Sequence, residues 1–409
     1  MAILKPFKAY RPKLELTDKV AALPYDVMSS EEAKVMAEGN PYSFLHVDKA
    51  EIDLADDIDV HDAVVYEKAS ENLSKLIEDE ILVQDEKKCL YIYRLIMDGR
   101  AQTGLVGCLS VDDYESGVIK IHEKTRADKE KDRIDHVRSC NAHTGPIFMT
   151  YRDQDVVNSI ITEVTNSDPS CNFTSEDGVT HIVWTISDDN KINALIDAFD
   201  KIEGIYIADG HHRAAAAVAV AREKRKASYT GDEEFNYFLS VMFPSSQLKI
   251  MDYNRVVKDM NGHDIASLLN KLDETFDVEE VSSLVKPEKK YSIGMYCEGK
   301  WYKLTAKEQY IDKNDPIKSL DVSILQEMVL DKIFDIKDPR TSDRIEFVGG
   351  IRGIEYIEKL AKSYNGIAFS MYPTTMNELM KVADNKETMP PKSTWFEPKL
   401  KSGLFIHEL

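Results

Sequence analysis

Ile205-Tyr206-Ile207-Ala208-Asp209-Gly210-His211-His212-Arg213, continued by Ala214-Ala215-Ala216-Ala217-Val218-Ala219-Val220-Ala221-Arg222, is the stretch on which the reading of this chain turns. A short apolar run of β type meets a turn of Asp and Gly, and the turn opens into an alanine-rich segment of strong helix propensity. The polar cluster therefore falls on a helix N-terminus, where the first backbone N–H groups lack intrahelical acceptors and the dipole is positive. Phosphates and carboxylates bind in such places. Arg213 adds a guanidinium that can grip phosphate oxygens through two hydrogen bonds, and His211 and His212 add proton transfer near neutral pH. The pattern reads as chemistry on a phosphate. The plainer alternative makes Asp209 an N-cap, Gly210 a turn residue and the histidines polar residues at a strand end.

The rest of the chain bounds this reading. Its 409 residues suffice for two or three domains, and 43% hydrophobic with 30% charged residues is an ordinary globular composition. A net charge of −20 without an extended basic block argues against a nucleic-acid partner. No segment approaches the ~20 consecutive apolar residues of a membrane span, and Met1-Ala2-Ile3-Leu4-Lys5-Pro6 lacks the apolar core of a signal peptide, so a cytoplasmic protein is expected. The cysteines at 89, 108, 140, 171 and 297 are widely spaced and contain no CxxC, which predicts reduced, structural thiols. Nothing in the sequence decides between a monomer and a homo-oligomer.

Periodicity outlines an α/β protein of the mixed α+β kind. Ala63, Tyr66, Ala69, Leu73 and Leu76 recur at helical spacing between about Asp62 and Glu80. Strands are expected at Cys89–Met97 and Gly104–Val111, joined by the hairpin signal Asp98-Gly99. The charged segment His122 to Cys140 fits a helix with many i,i+4 pairs and a solvated face. Beyond Gly262 helices and strands alternate again, including a helix over Ser319–Phe334, so the chain divides into residues 1–255 and a second α/β unit, 256–409.

Other polar groups join the candidate site. His122 and Glu123 follow the strand-like Val118-Ile119-Lys120-Ile121, and a His beside a Glu serves a general base or a divalent cation; Thr125 stands close by. Gly145 in Thr144-Gly145-Pro146-Ile147-Phe148 allows close backbone approach. Met389-Pro390-Pro391-Lys392-Ser393-Thr394 is a proline-stiffened loop in which Lys392 could neutralise phosphate, while Ser393 and Thr394 could orient a polar substrate. Arg255 offers another guanidinium. The chain has no GxxxxGK[ST], GxSxG or HExxH, so phosphoryl chemistry here would use a different scaffold.

Taken in order, Leu23-Pro24-Tyr25-Asp26-Val27, His122-Glu123-Lys124-Thr125, Gly145-Pro146-Ile147-Phe148, Ala208-Asp209-Gly210-His211-His212-Arg213 and Met389-Pro390-Pro391-Lys392-Ser393-Thr394 resemble a bacterial and archaeal family catalogued as domain of unknown function 1015. The Asp-Gly-His-His-Arg element is also similar to the signature of the ParB/sulfiredoxin-like superfamily, which implies a nucleotide-binding core with insertions in residues 1–255. Sulfiredoxins have a nucleophilic cysteine where this chain has His211, which disfavours sulfinic acid reduction. Free-serine kinases share the element. That resemblance implies phosphoryl transfer from ATP or ADP, with Mg2+, to a free hydroxyl amino acid, L-serine first. Asp209 would then handle the substrate hydroxyl or ammonium group, and Gly210, His211, His212 and Arg213 would hold phosphates. Glu123, with His122 beside it, is the candidate for the separate catalytic glutamate. A nucleotide-responsive regulator without catalysis, and a phosphohydrolase or nucleotidase, remain as alternatives. No metal ligands are assigned.

Overall fold

A computed structural model describes residues 1–227 and 229–409. The chain forms two compact units, Met1–Leu248 with Pro398–Leu409, and Lys249–Glu397. This differs from the expected division at 255/256 in two respects. The strand Tyr253–Val257 pairs with Ile345–Gly349 and Ile367–Ser370 and so belongs with the second unit, while the last twelve residues return to the first, where Ile406 bridges Tyr10 and His407 pairs with His143.

The first unit is built on a mixed sheet that has nine strands among the described residues. Its order runs Ile119–Lys120, Ile205–Asp209, Ile147–Tyr151, Tyr237–Pro244, Arg100–Ser110, Leu90–Met97, Thr180–Ile186 and Cys171–Thr174, and Leu4–Lys5 adds beside Arg100–Ser110. Ile147–Tyr151 is buried throughout and Tyr237–Pro244 nearly so, as expected of strands covered on both faces. Asp98 and Gly99, both at positive φ, close the hairpin between Leu90–Met97 and Arg100–Ser110. The expected first helix forms as Ala63–Glu78, and Val65, Tyr66, Ala69, Leu73 and Leu76 are its buried face. Each large side chain buried there contributes roughly 1.5–3 kcal/mol before entropy is counted.

The alanine-rich segment is the helix His211–Lys224; its small buried residues Ala214, Ala217 and Ala221 join the core cluster of the sheet, and the helix also packs against the helix Ala127–Cys140. The latter is the charged segment, and its charges are not all solvated: Asp132, Arg133 and His136 are buried beside Val137. Asp132 accepts hydrogen bonds from Arg133 and Tyr66, so the charge that enters the interior is paired.

The second unit holds an antiparallel sheet in the order Phe276–Val281, Lys300–Ala306, Ser292–Cys297, Ile367–Ser370, Tyr253–Val257, Ile345–Gly349. The amphipathic helix Ile354–Tyr364 buries Ile357 and Ala361 against Val256, Tyr296, Trp301 and Ala368. The helix expected over Ser319–Phe334 is α-helical from Asp321 to Leu325 and widens to π geometry over Gln326–Asp331. Among the described residues no helix is long and apolar enough to cross a membrane.

Candidate functional site

Strand Ile205–Asp209 pairs in parallel with Ile119–Lys120, so the carboxyl ends of both strands lie on one edge of the sheet. His122 and Glu123 follow one strand and Asp209 ends the other. The antiparallel register with Ile147–Tyr151 shifts between Ile207 and Asp209, a bulge that re-aims the strand's last residue. Gly210 then turns the chain with φ 93° and ψ 31°, the left-handed region a side chain resists. A Cβ on Gly210 would also lie 3.1 Å from the Arg213 guanidinium. Glycine thus lets the helix begin at His211 with Arg213 folded back over the turn.

Asp209 is the electrostatic centre. Its Oδ1 accepts the Gly210 N–H at 2.8 Å, and its Oδ2 accepts from Lys399 Nζ at 3.0 Å. Burial pushes this carboxyl up, but the Lys399 ammonium and the Arg213 guanidinium outweigh burial and hold it below the usual carboxylate range. Asp209 is therefore ionised and engaged, which makes it a poor proton acceptor until Lys399 moves onto another anion.

Two imidazoles stand behind it. His122 and His211, 1% and 6% exposed, meet edge to face with ring centroids 4.6 Å apart. Burial pushes His122 down to about 4, against a hydrogen bond to the Ile207 carbonyl, and drives His211 well below its ordinary value. Both are neutral at pH 7. Glu123 is half-buried, and donor atoms of His122, Glu123 and His211 lie within 4.8 Å of one another. His212 and Thr125 serve the neighbouring loop: His212 Nε2 accepts the Arg126 N–H at 3.1 Å, and Thr125 Oγ1 donates to Glu130 at 2.8 Å.

Arg213 donates from Nη1 to the Pro146 carbonyl at 2.6 Å and borders a cavity of about 30 Å³. Tyr25, Asp48, Arg133, His136 and Thr144 complete much of its wall. Arg133 lies over the Tyr25 ring at 3.8 Å, Thr144 Oγ1 donates to Asp48 at 2.8 Å, and His136 donates to the Val47 carbonyl at 3.0 Å. Burial lowers the basicity of Arg213, yet Asp26, Asp209, Tyr25 and Asp48 more than offset it and keep the guanidinium charged. A Cβ on Gly145 would sit 3.1 Å from Ser402 Oγ and 3.7 Å from Arg213, so the glycine keeps this wall thin.

The remaining candidates lie in the second unit and brace a loop there. Arg255 Nη2 donates to the Lys392 carbonyl at 3.0 Å, and another Arg255 nitrogen to the Tyr253 carbonyl. Burial pulls Arg255 down to about 10. Ser393, 4% exposed, donates to the Pro390 carbonyl at 2.6 Å and accepts at its own carbonyl from Thr374 at 3.0 Å. Lys392 has φ 57°, and its Nζ stands 5.9 Å from the Tyr253 ring centroid. Thr394 follows in the same loop.

Sequence reasoning missed Lys399, a single lysine in an unremarkable Pro-Lys-Leu context with no motif around it. It also left Arg133 and His136 unassigned. Their signal was present: they share a helical face with Val137 and lie three and four residues apart, as a buried face would.

The chain is similar to three solved structures of low identity. A free serine kinase in complex with AMP is 16% identical with a TM-score of 0.35, covering 72% of this chain and 90% of that chain. SbnI with C-terminal truncation from Staphylococcus aureus is 11% identical with a TM-score of 0.39, covering 74% and 87%. A conserved hypothetical protein from Pyrococcus furiosus is 16% identical with a TM-score of 0.34, covering 72% and 92%. No curated protein matches the chain. The family model described as "Protein of unknown function (DUF1015)" matches residues 4–323, and the chain belongs to that family.

Proposed function

We propose that the chain is a phosphotransferase that moves a phosphoryl group from ATP or ADP to the hydroxyl of a free amino acid, with L-serine the first candidate. The observation that carries this reading is the meeting of Asp209, Lys399 and Arg213 at the N-terminus of the helix His211–Lys224. Phosphoryl transfer asks of a protein chiefly that it align the reactants and neutralise charge. The first-turn N–H groups and the Arg213 guanidinium would take the donor phosphates, and His212 would keep the adjoining loop in place through Arg126. Lys399 would pass from Asp209 to the phosphate, which releases the Asp209 carboxylate to hold the acceptor's ammonium or hydroxyl. Glu123, half-buried and following the parallel neighbour strand, is the candidate for the base. The resemblance to free-serine kinases in the Asp-Gly-His-His-Arg element supports the acceptor class.

Mg2+ supplies charge neutralisation on phosphates in such reactions. Two imidazoles and one carboxylate are not the oxygen set it prefers, so the His122, Glu123 and His211 cluster is not assigned to it. The test is mass spectrometry of the full chain incubated with ATP or ADP and a pool of hydroxyl amino acids. A phosphorylated amino acid is the expected product, and Asp209→Asn and Glu123→Gln should each lower its rate at least a hundredfold. Nucleotide consumed without a phosphorylated acceptor would replace the reading with a phosphohydrolase, and unchanged nucleotide with a regulator.

A further inference from the structure

We infer that His122, Glu123 and His211 form a binding site for a first-row transition-metal dication of the Mn2+ to Zn2+ series. The topology assembles this set from distant parts of the chain: the first two follow strand Ile119–Lys120, and the third opens the helix after the parallel neighbour strand. Their donor atoms already lie within 4.8 Å of one another. Metal bonds of about 2.0–2.2 Å to imidazole nitrogen and carboxylate oxygen put neighbouring ligand atoms roughly 3–3.5 Å apart, so small side-chain rotations suffice to close the set.

A second observation points the same way. His211 Nε2 is buried and makes no hydrogen bond among the described residues. Burying a polar atom without a partner is unfavourable unless something outside the chain satisfies it. The two rings meet edge to face, and Glu123 is half-buried where both imidazoles are buried. Three protein ligands with one solvent-facing side is the arrangement of sites that keep a coordination position open. The surrounding charges nearly balance, with Asp209 and Glu123 against Lys399 and Arg213, so a dication would not enter a strongly positive hole. Two nitrogen donors favour the transition series over Mg2+ and Ca2+.

The site shares Glu123 with the phosphotransferase reading, and its test reads the metal alone, so that the failure of either is seen separately. Full-length protein is stripped with chelator, confirmed folded by circular dichroism, and titrated with Co2+ while visible absorption is followed. The expected result is a d–d band that saturates at one Co2+ per chain, is bleached by equimolar Zn2+, and survives a large excess of Mg2+. Glu123→Gln, altered at a half-exposed position, should weaken Co2+ binding about 10- to 100-fold while remaining folded, and His211→Gln should abolish the band. A folded protein with no cobalt band, Mg2+ displacing Co2+ at comparable concentration, or unchanged binding in folded Glu123→Gln would overturn the inference.

Discussion

Replacing Lys399 with Met removes the ammonium 3.0 Å from Asp209 Oδ2 and leaves the carboxylate with Arg213 as its remaining cation. At this distance the direct attraction is about 5 kcal/mol for an effective dielectric constant near 20. Desolvation of both charges offsets much of that, and the 30% exposure of the Asp209 side chain screens more, so the net coupling should be about 2 kcal/mol. A double-mutant cycle with Asp209→Asn isolates it. Because the chain forms two units, global unfolding would mix their stabilities; hydrogen exchange of peptides from 205–224 reports the first unit alone. The sign with pH is fixed by the depressed folded-state value of Asp209. Its stabilising contribution is present above the unfolded carboxyl pKa of about 3.9 and is lost as pH falls further. The coupling should therefore stay constant from pH 5 to 8. A coupling below about 0.5 kcal/mol, or one that disappears already at pH 6, would refute the argument.

Three further outcomes are expected. Gly210→Ala should cost about 1–2 kcal/mol from the left-handed backbone alone, and, by pushing on Arg213, should weaken nucleotide affinity more than Ala substitutions elsewhere in the helix do; nucleotide titration calorimetry checks it. In the second unit, burial and then Glu378 push the Asp321 carboxyl up to about 7 against the Tyr291 N–H and Lys290. A raised acid contributes stability that is complete below its unfolded value and lost as pH rises toward 7, by up to about 4 kcal/mol. Asp321→Asn should flatten that loss, read by hydrogen exchange of peptides from the second unit between pH 5 and 8. Ser393→Ala should lower the stability of the same unit by about 1 kcal/mol through the lost bond to Pro390, measured in the same way.

The parts legible in the sequence were those whose chemistry is local. Gly210 at a strand-to-helix junction, the alanine stripe and the leucine spacing of Ala63–Glu78 each dictate their own backbone, and the structure forms all three. Parallel pairing of Ile119–Lys120 with Ile205–Asp209 could be expected only as two strand ends presenting polar residues; their adjacency is a tertiary fact. The strand Thr180–Ile186 and the helices Asp155–Val164 and Asp189–Phe199 lie in a stretch, 151–204, that carries no chemical motif. Lys399 was invisible for a different reason: it acts across 190 residues of sequence, and nothing beside it signals that role. Arg255 and Ser393, read in the sequence as ligand contacts, donate to neighbouring carbonyls in the structure, a use of guanidinium and hydroxyl groups that residue type alone does not reveal.

Phosphorus NMR of the full chain with free serine, and with ATP or ADP in parallel tubes containing Mg2+, addresses the phosphotransferase assignment most directly. The account predicts a phosphomonoester resonance that grows only when serine is present and is absent in Asp209→Asn. Unchanged nucleotide in both tubes, or inorganic phosphate released at the same rate with and without serine, would contradict it.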